Sequence, residues 1–314
     1  IMDTNQNLNI VNKKVFNFMK SQALANALKS SNQVSIKSLL LSPMQIEGSS
    51  SMTIEQLSFM ICCGGFTQAL NADMTNALET VKDYVDTLIY GRVLKADELK
   101  RDPVKVFQLL KALAKAIAKD AKIPTLQACI KSNDHSSISK PTIINYLKLF
   151  KLHGIIDELD AWQPHLSTKA IVRKSAIKYF CDPAIAVAIL KLSEEKLIYD
   201  IPTMEKLFKN LCISQLRSYT ALLSGKMFDY KDIDHLTCDA VLLLKNGQYG
   251  LIEIKLGGDK SIEEGANTLN KLEQKLDLTK MKKPAFKIVL AGITPYAYRR
   301  LDGVYVVPIS TLCP

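Results

Sequence analysis

Three charged residues stand at the ends of two neighbouring apolar segments, in the pattern that a pair of strands would bring together. Asp239 precedes the first segment, and Glu253 and Lys255 lie two residues apart in the second. The turn between the segments contains Asn246 and Gly247, a dipeptide typical of tight hairpins because both residues tolerate positive φ. Since side chains two residues apart in a strand share a face, the sequence predicts a β-hairpin that gathers an aspartate, a glutamate and a lysine.

These three side chains have the chemistry of a site for a hard divalent cation. The carboxylates of Asp239 and Glu253 are the oxygen ligands that Mg²⁺ prefers, and Lys255 could orient a water molecule or stabilise a developing negative charge. The spacing Asp-x13-Glu-x-Lys resembles that of the PD-(D/E)XK nuclease-like superfamily. The resemblance implies an α/β domain and catalytic roles for all three residues. The alternative is that they are charged residues at strand ends that only face solvent.

The composition is that of a globular protein with an excess of positive charge. The 314 residues are 47% hydrophobic and 23% charged, which allows two or three compact modules with sizeable cores. The formal net charge of +10 favours an anionic partner, of which nucleic acid is the obvious candidate. The alternative is a set of lysine-rich helix faces that are merely solvated.

Several classes of protein are disfavoured by what the sequence lacks. It contains no run of about 18 apolar residues, so neither a membrane-spanning helix nor a membrane partner is expected. Its first residues do not have the basic-then-apolar layout of a signal peptide, which favours a cytoplasmic location. The seven cysteines form no CxxC pair and do not cluster with the four histidines, so reduced thiols are expected rather than a zinc site.

A winged helix-turn-helix is predicted over residues 101–175. One helix begins near Asp102, a short second helix follows, and a third begins after Ser139. Two strands, 155–159 and 170–174, are predicted to follow the third helix and to form the wing.

The third helix, residues 140–152, would be the recognition helix of such a module. Its candidate nucleic-acid contacts are Lys140, Asn145, Lys148 and Lys151, which could reach phosphates or base edges. Many winged helices serve only as packing modules, and that alternative stays open.

The rest of the chain is predicted to divide into three further parts. Residues 1–35 form a weakly patterned N-terminal segment, and residues 36–100 form a helical connecting segment that opens with a short strand at 36–41. Residues 176–314 are predicted to form an α/β domain, because their helix-strand-strand-strand-helix-strand order is what a nuclease-like core needs. The predicted fold class is therefore mixed α/β: a helical segment and a winged helix-turn-helix, followed by a PD-(D/E)XK-type domain.

A wider resemblance rests on ordered short motifs along residues 36–314. They include Lys140-Pro-Thr-Ile-Ile-Asn-Tyr-Leu, Asp160-Ala-Trp162-Gln-Pro164, Tyr179-Phe-Cys-Asp182-Pro183, Tyr230-Lys-Asp232, Asp239-Ala-Val, Glu253-Ile-Lys-Leu-Gly257 and Asp302-Gly-Val-Tyr-Val-Val-Pro308. In these motifs the chain resembles the domain-of-unknown-function family numbered 4143. Members of that family are typically the C-terminal part of prokaryotic cytosolic ATP-binding proteins. In them an AAA-type ATPase domain precedes a winged helix and a nuclease-like domain.

The chain departs from this family in two respects. It has no GxxxxGK[ST] loop, so the ATPase domain is missing and ATP is not expected to bind this chain. It also has Lys209 and Thr237 where the family commonly has glutamates, so two carboxylates that could complete a metal shell are absent. The resemblance therefore implies a nuclease-like site that is degenerate, with Asp239, Glu253 and Lys255 as its vestigial members.

Three hypotheses for function follow from the sequence. The favoured one is a non-motor module that associates with nucleic acid or protein and has no catalytic activity of its own. The second is a Mg²⁺-dependent phosphodiesterase that uses Asp239, Glu253 and Lys255. The third is a regulatory or assembly part of an AAA-type ATPase whose motor is lost or carried by a separate subunit, which would then be a protein partner.

Overall fold

The computed structural model describes residues 33–41, 45–70, 73–95, 101–167, 172 and 175–314. The described residues divide into two compact units. The sheet unit lies within Ile1–Leu57, Leu159–Ala176 and Cys212–Pro314, and the helical unit lies within Ser58–Glu158 and Ile177–Leu211. The predicted segment 1–35 lies almost wholly outside the described residues. The predicted domain boundaries stay predictions.

The described residues form a mixed α/β fold, as the sequence predicted. The helices are α1 (Ile36–Leu41), α2 (Ile54–Cys63), α3 (Thr67–Leu70), α4 (Met74–Asp86), α5 (Pro103–Lys115), α6 (Ile123–Asp134), α7 (Lys140–Leu152), α8 (Pro183–Leu190), α9 (Glu194–Tyr199), α10 (Ile201–Leu222) and α11 (Asp259–Lys275). A π-helical segment, Thr87–Val93, continues α4, and a 3₁₀ turn spans Ile309–Thr311. None of the helices in these ranges is both long enough and apolar enough to cross a lipid bilayer.

The strands include two neighbours that correspond to the predicted hairpin. They are β1 (Val34–Ser35), β2 (Gly48–Ser49), β3 (Ile156–Ala161), β4 (Ile177–Phe180), β5 (Lys226–Lys231), β6 (Thr237–Leu243), β7 (Tyr249–Gly257), β8 (Phe286–Ile293), β9 (Tyr296–Arg299), β10 (Tyr305–Pro308) and β11 (Leu312–Cys313). Strands β6 and β7 pair in antiparallel fashion, which confirms the hairpin. Of the predicted strand at 170–174, only residue 172 is described, and it makes an isolated bridge.

The sheet has nine strands in the order β2-β9-β10-β8-β7-β6-β5-β3-β4. Strands β5, β6 and β7 form an antiparallel meander, and β8 then runs parallel to β7. A parallel neighbour needs a crossover connection, and α11 provides it between β7 and β8. The apolar face of this helix packs on the sheet, with Ile262, Ala266, Leu269 and Leu272 buried.

Helix starts follow local rules that the sequence displays. Thr53 Oγ1 accepts from Gln56 N at 3.3 Å and Gln56 Oε1 accepts from Thr53 N at 3.0 Å, which is a capping box at the start of α2. Asp102 Oδ1 accepts from Val104 N at 2.9 Å at the start of α5, and Ser139 Oγ accepts from Thr142 N at 3.3 Å at the start of α7. These caps confirm the predicted starts of the two helices.

The predicted strand at 36–41 is wrong, because this segment forms the helix α1. Ser35 Oγ accepts from Ser38 N at 3.2 Å, an N-capping bond that favours a helix. The run that follows contains several leucines, which have high helix propensity. Apolar runs of this length do not distinguish a strand from a helix by periodicity alone.

The helical unit holds α7 by its apolar face. Ile143, Tyr146 and Phe150 of this helix are buried. In the same unit, α5 packs against α6 and α8, and α4 packs against α8. Asp182 caps α8 by accepting from Ala184 N at 2.9 Å and also accepts from Gly65 N at 2.9 Å. The resulting core leaves the opposite face of α7 exposed.

Candidate functional site

A side-chain hydrogen bond joins one candidate metal ligand to the strand that carries the other. The β6–β7 ladder ends where Ala240 pairs with Ile252, and the pairing of β6 with β5 shifts register at the same point. Asp239 Oδ2 accepts a hydrogen bond from Ile254 N at 2.9 Å. The aspartate is therefore held at the end of the ladder, with its carboxylate beside β7.

Lys255 lies beside Glu253 on β7. Its Nζ lies 3.4 Å from Glu253 Oε2, and Glu253 is buried, with 2% of its surface exposed. The lysine side chain is 27% exposed and its stem lies against Gly265 of α11. A β-carbon on Gly265 would lie 3.2 Å from Lys255 Cε, so the glycine leaves room for the lysine between helix and sheet. Lys255 thus pairs with Glu253, and Asp239 reaches the same strand through Ile254 N.

The neighbouring thiol of Cys238 stays protonated in this environment. The residue is fully buried, and burial together with the negative charges of Glu253 and Asp239 raises the pKa of its thiol well above the ordinary value. Its sulfur lies 3.3 Å from Ala240 O and 3.4 Å from Ile252 O, so the thiol can donate to a backbone carbonyl. Because only a thiolate is a good nucleophile or metal ligand, Cys238 contributes neither function.

Asp239 and Glu253 offer oxygen ligands for a cation whose other ligands would be water molecules. Among the described residues, no group of three or more His, Cys, Asp and Glu side chains is arranged to hold a metal ion. A Mg²⁺ ion would therefore take Asp239 and Glu253 as its protein ligands and fill its remaining positions with water or phosphate oxygens, a common arrangement for this ion. The Lys255 ammonium, 3.4 Å from Glu253, would have to move away from the incoming cation because like charges repel.

A second cluster of charged groups, which the sequence analysis did not identify, lies at the turn between β5 and β6. Lys275 Nζ lies 2.5 Å from Asp232 Oδ2 and 2.6 Å from Asp234 Oδ2. The Tyr230 hydroxyl donates to Asp232 Oδ2 at 2.9 Å, and Asp232 Oδ1 accepts from Asp234 N and Leu236 N, both at 3.0 Å. The Tyr-x-Asp spacing of Tyr230 and Asp232 is the sequence pattern that could have predicted their contact, because residues two apart in a strand share a face.

These contacts determine the charge states in the cluster. Burial disfavours the charged form of Asp232, but hydrogen bonds from Lys275, Tyr230 and Leu236 N outweigh it and lower the pKa of the carboxyl. Hydrogen bonds to Asp232 and Asp234 raise the pKa of Lys275. Burial and the bond to Asp232 raise the pKa of the Tyr230 hydroxyl. The cluster is therefore a charged pair with a neutral tyrosine at neutral pH.

The predicted nucleic-acid contacts of α7 lie on its solvent side. Lys140, Asn145, Lys148 and Lys151 are all exposed. Their positions along the helix place them on the arc opposite the buried residues. Lys151 Nζ is 2.7 Å from Glu158 Oε2, so its charge is partly balanced within the helical unit. Lys140 and Lys148 make no ion pair with another described residue.

Lys209 and Thr237 are the two positions at which the sequence lacks an expected carboxylate. Lys209 lies in α10, and Thr237 lies at the start of β6.

The comparison with protein families gives one match, which lies over the middle of the chain. Residues 54–196 match the model of a domain of unknown function, DUF8612. This segment includes α2 to α8 and the first residues of α9, and therefore the helix α7. Neither the curated proteins nor the solved structures contain a match to this chain.

Proposed function

We propose that the chain is a nucleic-acid-associated module whose contacts are carried by α7 within a winged helix-turn-helix. The observation that carries this proposal is the division of α7 into two faces. One face is buried in the helical unit, and the other presents Lys140, Asn145, Lys148 and Lys151 to solvent. A helix that is anchored by one face and basic on the other is suited to phosphate contact in a groove. The net charge of +10 acts in the same direction.

The order of elements in the sheet unit supports a nuclease-like origin for the second half of the chain. The sequence runs α10-β5-β6-β7-α11-β8, with a meander and then a parallel strand. This is the order that the PD-(D/E)XK resemblance implies. On this proposal the chain corresponds to the non-motor C-terminal part of the ATP-binding family numbered 4143, and its nuclease-like site is degenerate. The ion pair between Lys255 and Glu253 supports the loss of metal binding.

The test of nucleic-acid binding is a salt titration with labelled duplex DNA, followed by fluorescence anisotropy. Each phosphate contact contributes about 0.9 to the slope of log K against log salt. Lys140→Ala and Lys148→Ala should each lower the slope by about that amount. Lys245→Ala is the matched control, because Lys245 is an exposed lysine in the turn between β6 and β7. Equal slopes for Lys148→Ala and Lys245→Ala would refute the proposal.

A second candidate function, a Mg²⁺-dependent phosphodiesterase, is favoured by two contacts on β7: Ile254 N donates to Asp239 Oδ2 at 2.9 Å, and Lys255 Nζ lies 3.4 Å from Glu253 Oε2. Calorimetric titration of Mg²⁺ and Mn²⁺ into the chain tests it. Asp239→Asn is the informative variant, because an amide oxygen can still accept from Ile254 N while the charge is removed. Cation binding that disappears in this variant would establish the site and justify a cleavage assay. Absence of cation binding in the unaltered chain would exclude this candidate.

A further inference from the structure

An open cleft of about 460 Å³ lies in the sheet unit between the β5–β6 turn and the second half of α11. Its volume is in the range of pockets that accept small ligands. The lining side chains combine cationic, carboxylate, imidazole, hydroxyl, amide and apolar groups. They are Asp234, His235, Leu236, Thr237, Thr268, Lys271, Gln274 and Lys275.

One wall of the cleft is held rigidly by the ion cluster of Asp232. Lys275 Nζ bridges Asp232 and Asp234, so the lysine charge is fully compensated and the three groups together carry a formal charge of −1. Asp232 Oδ1 accepts from the backbone of Asp234 and Leu236, which closes the turn around His235. His235 has a φ of 62°, in the left-handed region that few residues other than glycine adopt. The imidazole is therefore carried by a turn with a defined conformation.

The other lining groups are available to a ligand. Within the described residues, the Lys271 ammonium, the Gln274 amide and the Thr237 hydroxyl make no hydrogen bond or ion pair. The Thr268 hydroxyl donates to Glu264 O at 2.8 Å, so it can still accept from a ligand. An ammonium attracts a phosphate, while an imidazole ring next to a leucine offers a surface for a flat base. An amide and a hydroxyl can bond the edge of that base or a sugar.

We propose that this cleft binds one nucleotide of a single-stranded nucleic acid, with the backbone phosphate at Lys271 and the base against His235 and Leu236. The inference rests on the proposed association with nucleic acid and adds a second contact region. It assigns duplex contact to α7 of the helical unit and single-strand contact to the sheet unit.

The experiment uses a labelled oligothymidylate of about ten nucleotides, a length within the usual range of single-strand sites. Binding is measured by anisotropy over a range of salt, in chains that also carry Lys140→Ala and Lys148→Ala so that α7 does not contribute. Lys271→Ala should lower the slope of log K against log salt by about 0.7, the value for one phosphate contact on a single strand. Lys245→Ala, at the opposite end of the β6–β7 hairpin, should leave the slope unchanged.

A second variant tests the base contact. His235→Asn removes the imidazole but keeps a residue type that tolerates the left-handed conformation. It should weaken binding at least about fivefold at constant salt, the lower end for loss of a stacking partner. Lack of single-strand binding, or equal effects of Lys271→Ala and Lys245→Ala, would overturn the inference.

The two proposals fail separately in these assays. If Lys148→Ala changes duplex binding but Lys271→Ala does not change single-strand binding, the proposed function is retained and the cleft is rejected as a binding site. If Lys271→Ala changes single-strand binding but Lys148→Ala does not change duplex binding, the cleft is retained as a binding site and the role of α7 is rejected.

Discussion

Two lysine–carboxylate pairs in the sheet unit differ in how tightly they are made. Lys275 Nζ lies 2.5 Å from Asp232 Oδ2, and the Asp232 side chain is fully buried. Lys255 Nζ lies 3.4 Å from Glu253 Oε2, and the Glu253 side chain is 3% exposed. Both carboxylates are thus buried, and both lysines are partly exposed. The first pair is a direct hydrogen bond, whereas the second is an ion pair with a longer separation.

This difference shows why burial alone does not identify a functional carboxylate. Asp232 is surrounded by donors from Tyr230, Lys275 and the turn backbone, so it fastens the end of α11 to the β5–β6 turn. Glu253 is followed by Ile254, whose backbone N–H donates to Asp239, and its ion pair with Lys255 spans 3.4 Å. We therefore interpret the first pair as structural and the second as the candidate site.

The largest expected effect comes from removing each lysine in turn. Lys275→Met should lower the free energy of unfolding by about 3–5 kcal/mol, because it leaves the buried Asp232 without its charged partner. Lys255→Met should cost less, because it removes an ion pair with a 3.4 Å separation and no direct hydrogen bond. Urea denaturation of both variants measures the difference. Equal losses of stability would contradict the distinction between the two pairs.

The pH dependence of stability should also report on the tighter pair. The pKa of Asp232 is lowered in the folded chain, so its contribution is complete above the unfolded value near about 4 and is lost as the pH falls through the folded pKa. The pKa of Lys275 is raised, so its contribution is complete below about 10.4 and is lost as the pH rises through the folded pKa.

Unfolding by urea at a series of pH values measures this dependence. Asp232→Asn should reduce the loss of stability below about pH 4, since the variant has no carboxyl to protonate at this position. Asp234→Asn serves as the control, because that carboxylate side chain is 66% exposed and contributes less. A steeper acid dependence in Asp232→Asn than in the unaltered chain would contradict the assignment.

The smallest expected effect tests how closely Lys255 is packed. Gly265→Ala gains up to about 1 kcal/mol of helix propensity, but its β-carbon would lie 3.2 Å from both Lys255 Cε and Val289 Cγ2. Gly91→Ala is the control, because the nearest atom to its β-carbon is Thr87 Cγ2 at 3.9 Å. Thermal or urea unfolding should show less stabilisation for Gly265→Ala than for Gly91→Ala. An equal gain would mean that Lys255 moves aside without cost.

Local features of the fold were predictable from the sequence. The hairpin that carries Asp239, Glu253 and Lys255 followed from two apolar segments joined by an Asn-Gly turn, and β6 and β7 confirm it. The caps at Asp102 and Ser139 also formed as predicted. The strand at 36–41 was predicted wrongly, because a short apolar run fits a strand or a helix equally well.

By itself, the sequence determined which residues would share a strand face or a helix face, since these depend on neighbours a few positions apart. It therefore brought Glu253 next to Lys255 and placed Lys148 on the outer side of α7. Only the tertiary structure decided that Lys275 pairs with Asp232, 43 residues away, and that Lys255 lies against Gly265. Such contacts depend on how α11 packs on the sheet, which no local periodicity specifies. The cleft beside His235 exists for the same reason.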